Sequence, residues 1–166
     1  MTSDRLRAAF RRNAHRRGFP EFLTAITETT GMSKDDISLV DAEESLRFED
    51  LLMATIESGL ASNVVRRRTE LAWLEAEDVL QRFAMNVGEA DVFVYLCHSP
   101  EYIFRTRIRN FQKHAKRIVQ FDGDTIYAAT CSLREGFGVD MYTSEVTDEI
   151  EFTVDWWGYD ITPLIV

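Results

Sequence analysis

Residues 91–97, Asp91-Val92-Phe93-Val94-Tyr95-Leu96-Cys97, carry apolar side chains on both alternating positions. A strand has two faces, so a segment of this kind needs packed structure above and below it. His98-Ser99-Pro100-Glu101 follows, with a cap residue, a proline at the first helical position and an acid in the first turn. Phe104, Ile108, Phe111, Ala115 and Ile118 then recur at steps of four and three. That spacing predicts a basic amphipathic helix over 99–117, with Arg105, Arg107, Arg109, Lys113, Lys116 and Arg117 flanking the stripe.

Upstream the periodicity is helical. Residues 3–17 predict a short surface helix with a thin stripe of Leu6, Ala9, Phe10 and Ala14 among arginines. Gly18-Phe19-Pro20 is expected to break it before a second helix over 21–29, which Gly31 ends. Ser33-Lys34-Asp35-Asp36 has the spacing of a capping box ahead of a third helical region reaching Leu60, with a break near Asp41. Gly59 and Ala61-Ser62-Asn63 read as a turn, and 69–87 as a fourth helix with Trp73, Leu80, Phe83 and Val87 on one face.

Downstream, strands are expected at 125–131, 139–143 and 149–156, with turns at Asp122-Gly123-Asp124 and Glu135-Gly136-Phe137-Gly138. The last strand alternates Ile150, Phe152, Val154 and Trp156 against Glu149, Glu151, Thr153 and Asp155, the pattern of a strand with one wet side. The order predicts an α+β fold in one domain over 1–166: a helical half (1–87) packed on a small mixed sheet (89–160) of sequence order strand-helix-strand-strand-strand. The helix between the first two of these strands allows them to pair in parallel.

The chain has 166 residues, enough for one core. No apolar run approaches the roughly 20 residues of a membrane span, and the Arg-rich start lacks the apolar run of a secretory signal; a cytoplasmic protein with no membrane partner is expected. Cys97 and Cys131 fall in predicted strands and are expected to be small buried core residues. The net charge of −9 is segregated in blocks: 1–18 and 99–117 are basic, whereas 19–65 and 135–166 are strongly acidic. Such blocks speak to association rather than fold.

Three functional classes follow. The first is nucleic-acid or phosphate contact. A helix-turn-helix reading of 22–40 would present Asp35, Asp36 and Asp41 to phosphates, which is poor chemistry. The basic helix is better placed, through Arg105, Arg109, Lys113 and Lys116, since guanidinium forks match phosphate. The second is an enzyme with a pocket between helices and sheet holding His98 or His114. No histidine has metal-ligand spacing, no phosphate loop or nucleophile elbow is present, and Cys97-His98 would diverge on a strand. No cofactor or metal is expected. The third is a non-enzymatic acidic module that masks a basic surface of a partner protein, as immunity-type inhibitors do; this is an analogy of size and charge. Its surface would comprise Asp140, Tyr142, Glu149, Glu151, Asp155, Trp157 and Tyr159, where carboxylates surround aromatic anchors. This third class is the leading expectation. The sequence leaves the oligomeric state and the partner open.

Overall fold

The computed structural model describes residues 2–58, 62–66, 69–143 and 150–159. Among these, the order is α1 (Thr2–Thr30), a 3-10 turn (Lys34–Asp36), β1 (Ser38–Leu39), α2 (Ala42–Glu57), β2 (Ser62–Arg66), α3 (Thr69–Val87), β3 (Asp91–Leu96), β4 (Phe104–Arg107), α4 (Ile108–Asp122), β5 (Thr125–Ala129), β6 (Gly136–Thr143) and β7 (Ile150–Trp157). The fold is α+β. One sheet of order β1-β4-β3-β5-β6-β7-β2 contains all seven strands, with every pairing antiparallel.

The two-sided pattern of β3 sets the layering. Val92, Val94 and Leu96 join a core with Phe22 and Ile26 of α1, Phe83 of α3, and Phe111 and Ile118 of α4. Phe93 and Tyr95 face the other way, onto Phe48 and Leu52 of α2 and the ring of Trp157. Each buried Phe, Ile or Leu contributes roughly 1.5–3 kcal/mol, so both layers are strongly favoured. α1 serves both. Its C-terminal part packs on α4, and its N-terminal part pairs with α2 through Arg7–Asp50, Arg11–Glu49 and Arg12–Glu43 at 2.8, 2.7 and 3.2 Å. The α1 C-terminus has no basic residue of its own. Instead the Thr30 carbonyl accepts from Arg117 at 3.3 Å and lies 3.0 Å from His114 Nδ1, two α4 side chains at the negative end of the helix dipole.

Several expectations are corrected. α1 runs unbroken through Gly18 and Pro20. Proline removes one helical N–H, and the packing of Phe22 and Ile26 on one side and Ala8 on the other outweighs that loss. The 33–40 segment is a 3-10 turn and a two-residue strand, so there is no second helix of a helix-turn-helix. Ser33 accepts from the Asp35 amide, and Asp41 is the cap that starts α2, accepting from Glu43 and Glu44. Ser62 and Asn63 belong to the edge strand β2 rather than a turn, while Gly59, Leu60 and Ala61 lie outside the described residues. The basic helix begins at Ile108, because 104–107 form β4 and fold back on β3. With β4 returning the chain, β3 and β5 pair antiparallel, not parallel. The sheet is therefore antiparallel rather than mixed, and the N-terminal half contributes β1 and β2 to it. Gly136, Phe137 and Gly138 lie within β6, and Cys97 and Cys131 are exposed thiols just beyond the ends of β3 and β5.

Gly136 stands beside Trp157 across β6 and β7. A Cβ at Gly136 would lie 1.9 Å from the indole, whose Nε1–H is anchored on the Leu133 carbonyl at 2.9 Å. Gly136→Ala is expected to destabilise the fold by roughly 1–3 kcal/mol through overpacking, read as a lower urea midpoint at unchanged slope.

Candidate functional site

The face of the sheet that carries α2 is only partly covered. α2 and its neighbours close over Phe93, Tyr95, Ala129, Tyr127 and Trp157, which are all buried. Toward the start of β5 and the centres of β6 and β7 the same face holds Thr125, Asp140, Thr153 and Asp155, all half-buried. The register sets them in two rows, Thr125–Asp140–Thr153 and Tyr127–Gly138–Asp155. Residues directly opposite in an antiparallel ladder share a face, with Cβ atoms roughly 5 Å apart.

Hydroxyls hold these carboxylates. Thr125 Oγ1 lies 2.9 Å from Asp140 Oδ1 and 3.0 Å from Asp124 Oδ1, and its single proton serves one of them at a time. Tyr127 crosses over Gly138, where a Cβ would stand 2.4 Å from its ring, and donates its hydroxyl to Asp155 Oδ2 at 3.4 Å. Gly138 is the residue that lets this ring lie flat on the sheet. Burial pushes the Asp140 carboxyl above the usual range, with Asp124 adding to the shift and the Thr125 hydroxyl opposing it. Burial likewise raises Asp155, with the Tyr127 hydroxyl opposing and Asp140 adding. The Tyr127 phenol is pushed up by burial and then by Asp155 and Asp140.

One end of the row meets the turn after β3. The Asp122 side chain is 1% exposed, and its Oδ1 accepts the His98 amide at 3.1 Å, tying the end of α4 to that turn. Its Oδ2 has no hydrogen bond and lies 3.8 Å from His98 Nδ1, while His98 Nε2 lies 3.9 Å from Asp124. Burial, then Asp124, Asp122 and Asp140, raise the Cys97 thiol. A raised thiol holds little thiolate, so Cys97 is a poor nucleophile. Among the described residues no cluster of His, Cys, Asp and Glu has metal-holding geometry.

The acidic set named from sequence is thus partly brought together. Asp140 and Asp155 share the open face, and Tyr142 is an exposed neighbour opposite Glu151. For Glu151 only the backbone is described, and Glu149 lies outside the described residues, as do Leu164, Ile165 and Val166. Trp157 is a buried part of the α2 core rather than a surface anchor. Tyr159 stacks on Phe83 at 5.8 Å between ring centroids, on the opposite side of the sheet, with its hydroxyl buried and unpartnered. Sequence reasoning missed Asp124 and Tyr127. The signal was present: an Asp-Gly-Asp turn opening a strand whose first and third residues carry hydroxyls.

The basic set is dispersed. Arg105 projects from β4 to the face opposite Phe104, whereas α4 packs on the Phe104 side, so Arg105 is separated by the sheet from Lys113 and Lys116. Arg105 and Arg107 pair with Asp91 at 3.6 and 3.2 Å, and Arg109 pairs with Glu89. Lys116 stands 5.9 Å over the Trp73 ring, and Lys113 is exposed. His114 is occupied at the end of α1 and His98 is largely solvated; one groove between α1 and α2 is lined by His15, and neither of these two lines the grooves there. No helix among the described residues is long and apolar enough to cross a membrane.

No family model, no curated protein and no solved structure matches this chain.

The raised carboxyls give a sign that can be tested. The folded chain holds protons on Asp140 and Asp155 more tightly than the unfolded chain, so their contribution to stability is fully present below the unfolded value of about 4 and is lost as pH rises through the folded values. The double variant Asp140→Asn, Asp155→Asn is expected to gain on the wild type as pH rises from acid toward neutral. Urea midpoints of both proteins over that range check this; a difference that narrows with rising pH contradicts it.

Proposed function

We propose that this protein is a non-enzymatic binding module that docks the open acidic face of its sheet onto a basic surface of a partner protein, in the manner of an acidic inhibitor. One observation carries the reading. Asp124, Asp140 and Asp155 stand together, partly desolvated, with hydroxyls as their partners, and among the described residues no Lys or Arg is ion-paired to them. Arg7, Arg11 and Arg12 of α1 are committed to carboxylates of α2, and Arg105 and Arg107 of β4 to Asp91.

A half-buried carboxylate without a cation has lost part of its hydration and gained little in return. A guanidinium or ammonium brought by a partner recovers that loss. Hydrogen bonds to charged groups are worth roughly 1.5–3 kcal/mol each, and complementary fields also raise the rate of encounter.

The test is capture from the native host with tagged protein at low and high salt, followed by titration of the isolated partner. The wild type is expected to bind in a salt-sensitive way. Asp140→Asn with Asp155→Asn, which keep shape and remove charge, should weaken the isolated complex by at least tenfold with the fold intact. An unchanged affinity for that pair of substitutions removes the proposal.

A further inference from the structure

We infer that the acidic face is engaged by strand addition: a partner protein lays an extended basic segment along the outer edge of β2, and alternate side chains of that segment fall on the face of Asp155. This mode of docking rests on the acidic-face reading above and adds to it a backbone pairing and a shape for the partner.

The two ends of the seven-stranded sheet differ. β1 closes one end with only Ser38 and Leu39, too short to template a further strand. β2 closes the other with five residues, each paired to β7. Among the described residues, no strand or loop bonds to its second edge through the backbone. In an antiparallel pair, alternate residues direct both N–H and C=O away from the partner strand. The outer edge of β2 thus presents a row of donors and acceptors. Ser62-Asn63-Val64-Val65 contains no proline and no charge, the usual devices that keep another strand off an edge.

Register carries the acidic face out to this edge. Asn63 stands opposite Asp155 and Val65 opposite Thr153. The rows therefore run Tyr127–Gly138–Asp155–Asn63 and Thr125–Asp140–Thr153–Val65. A strand added beyond β2 continues both rows. Its residue beside Asn63 lies two strand spacings, roughly 10 Å, from Asp155, a gap that a long cationic side chain leaning inward can cross. Asp155 is half-buried and takes its hydrogen bond from Tyr127 at a long 3.4 Å. Arg66 stands opposite Phe152, whose ring packs on Trp73 in the core on the α3 side, so Arg66 is not in the row of Asp155. The cations of the added strand belong beside Asn63, at the end of β2 away from Arg66.

Charge and backbone chemistry select among occupants. A second copy pairing β2 to β2 would bring together two chains of net charge −9 and set a second acidic face beside the first. A helix cannot answer the edge, because its own N–H and C=O groups are used internally. An extended segment with cations meets both demands: main-chain bonds hold it to the edge, and its cations select the face.

The experiment uses the full chain and fluorescent strand probes of roughly eight residues, with lysine and valine alternating in one half and threonine and valine in the other. Comparison probes carry glutamate in place of lysine, or are N-methylated at alternate residues in one register or the other. The lysine probe is expected to bind roughly tenfold tighter than the glutamate probe, or better, in anisotropy titrations. N-methylation in one register should abolish binding by removing the donors that face β2, and in the other register should leave it nearly unchanged. Amides of 62–66 should exchange more slowly when the lysine probe is bound. Asp155→Asn should weaken the lysine probe and preserve the contrast between registers. Equal binding of the two N-methylated forms, or no slowing of the β2 amides, overturns strand addition; a partner complex still weakened by Asp140→Asn with Asp155→Asn then leaves the acidic-face reading standing without it. Equal binding of the lysine and glutamate probes overturns the inference together with that reading. A dimer of the free chain that the lysine probe dissociates in sedimentation gives the edge to a second copy and also overturns the inference.

Discussion

Burial of β3 on both faces is the constraint from which the architecture follows. Five consecutive residues, Val92 to Leu96, are buried, and they alternate between two cores. A single helical layer cannot supply both. α3, α4 and the C-terminal part of α1 cover one side, and α2 covers the other. α1 is long enough, at 29 residues and about 1.5 Å each, to reach both layers and to bind them to each other. Pro20 within it is tolerated because packing at both ends outweighs one missing hydrogen bond.

The basic block at the start of the chain is answered by the acidic block that follows it, not by the acidic C-terminal block. Arg7, Arg11 and Arg12 meet acids of α2, with Arg11 and Glu49 only 10% and 19% exposed. The cations of 105–109 meet Asp91 and Glu89, which enter the sheet next to them. Arg117 closes the end of α1, and Lys116 covers Trp73. These short-range solutions use up much of the basic charge, and they leave the carboxylates of β6 and β7 on the far side of the sheet from α4. The orientation of α1 that forms its ion pairs with α2 leaves Leu6 and Phe10 exposed.

Much of the fold was legible. The stripe of α3, the alternation of 150–157 and the two-sided β3 were each read from period alone, because each serves one period. The segment 99–117 was misread because Phe104, Thr106 and Ile108 satisfy both periods: they alternate as a strand does, and Phe104 and Ile108 are also one helical turn apart. The exposed edge of β3 decides for strand, since its amides and carbonyls need a partner that helix cannot offer. Of the candidate site, Asp140 and Asp155 were visible as the wet side of two strands. Asp124 and Tyr127 were not, since their meeting with those acids depends on the neighbour order β5-β6-β7. Trp157 was misjudged for the same reason: its alternation puts it on the acidic face, and only the position of α2 determines that this end of the face is closed.

The sequence by itself determined the α+β class, the helical and strand periods, and the need for cover on both sides of one strand, because periodicity is a property of each segment alone. Tertiary structure decided which carboxylates meet the arginines of α1 and β4, which apolar residues stay outside, and which strands are neighbours. Those outcomes are competitions between distant segments for the same partners, and their result is set by where the packed layers bring the competitors, not by any one stretch of chain.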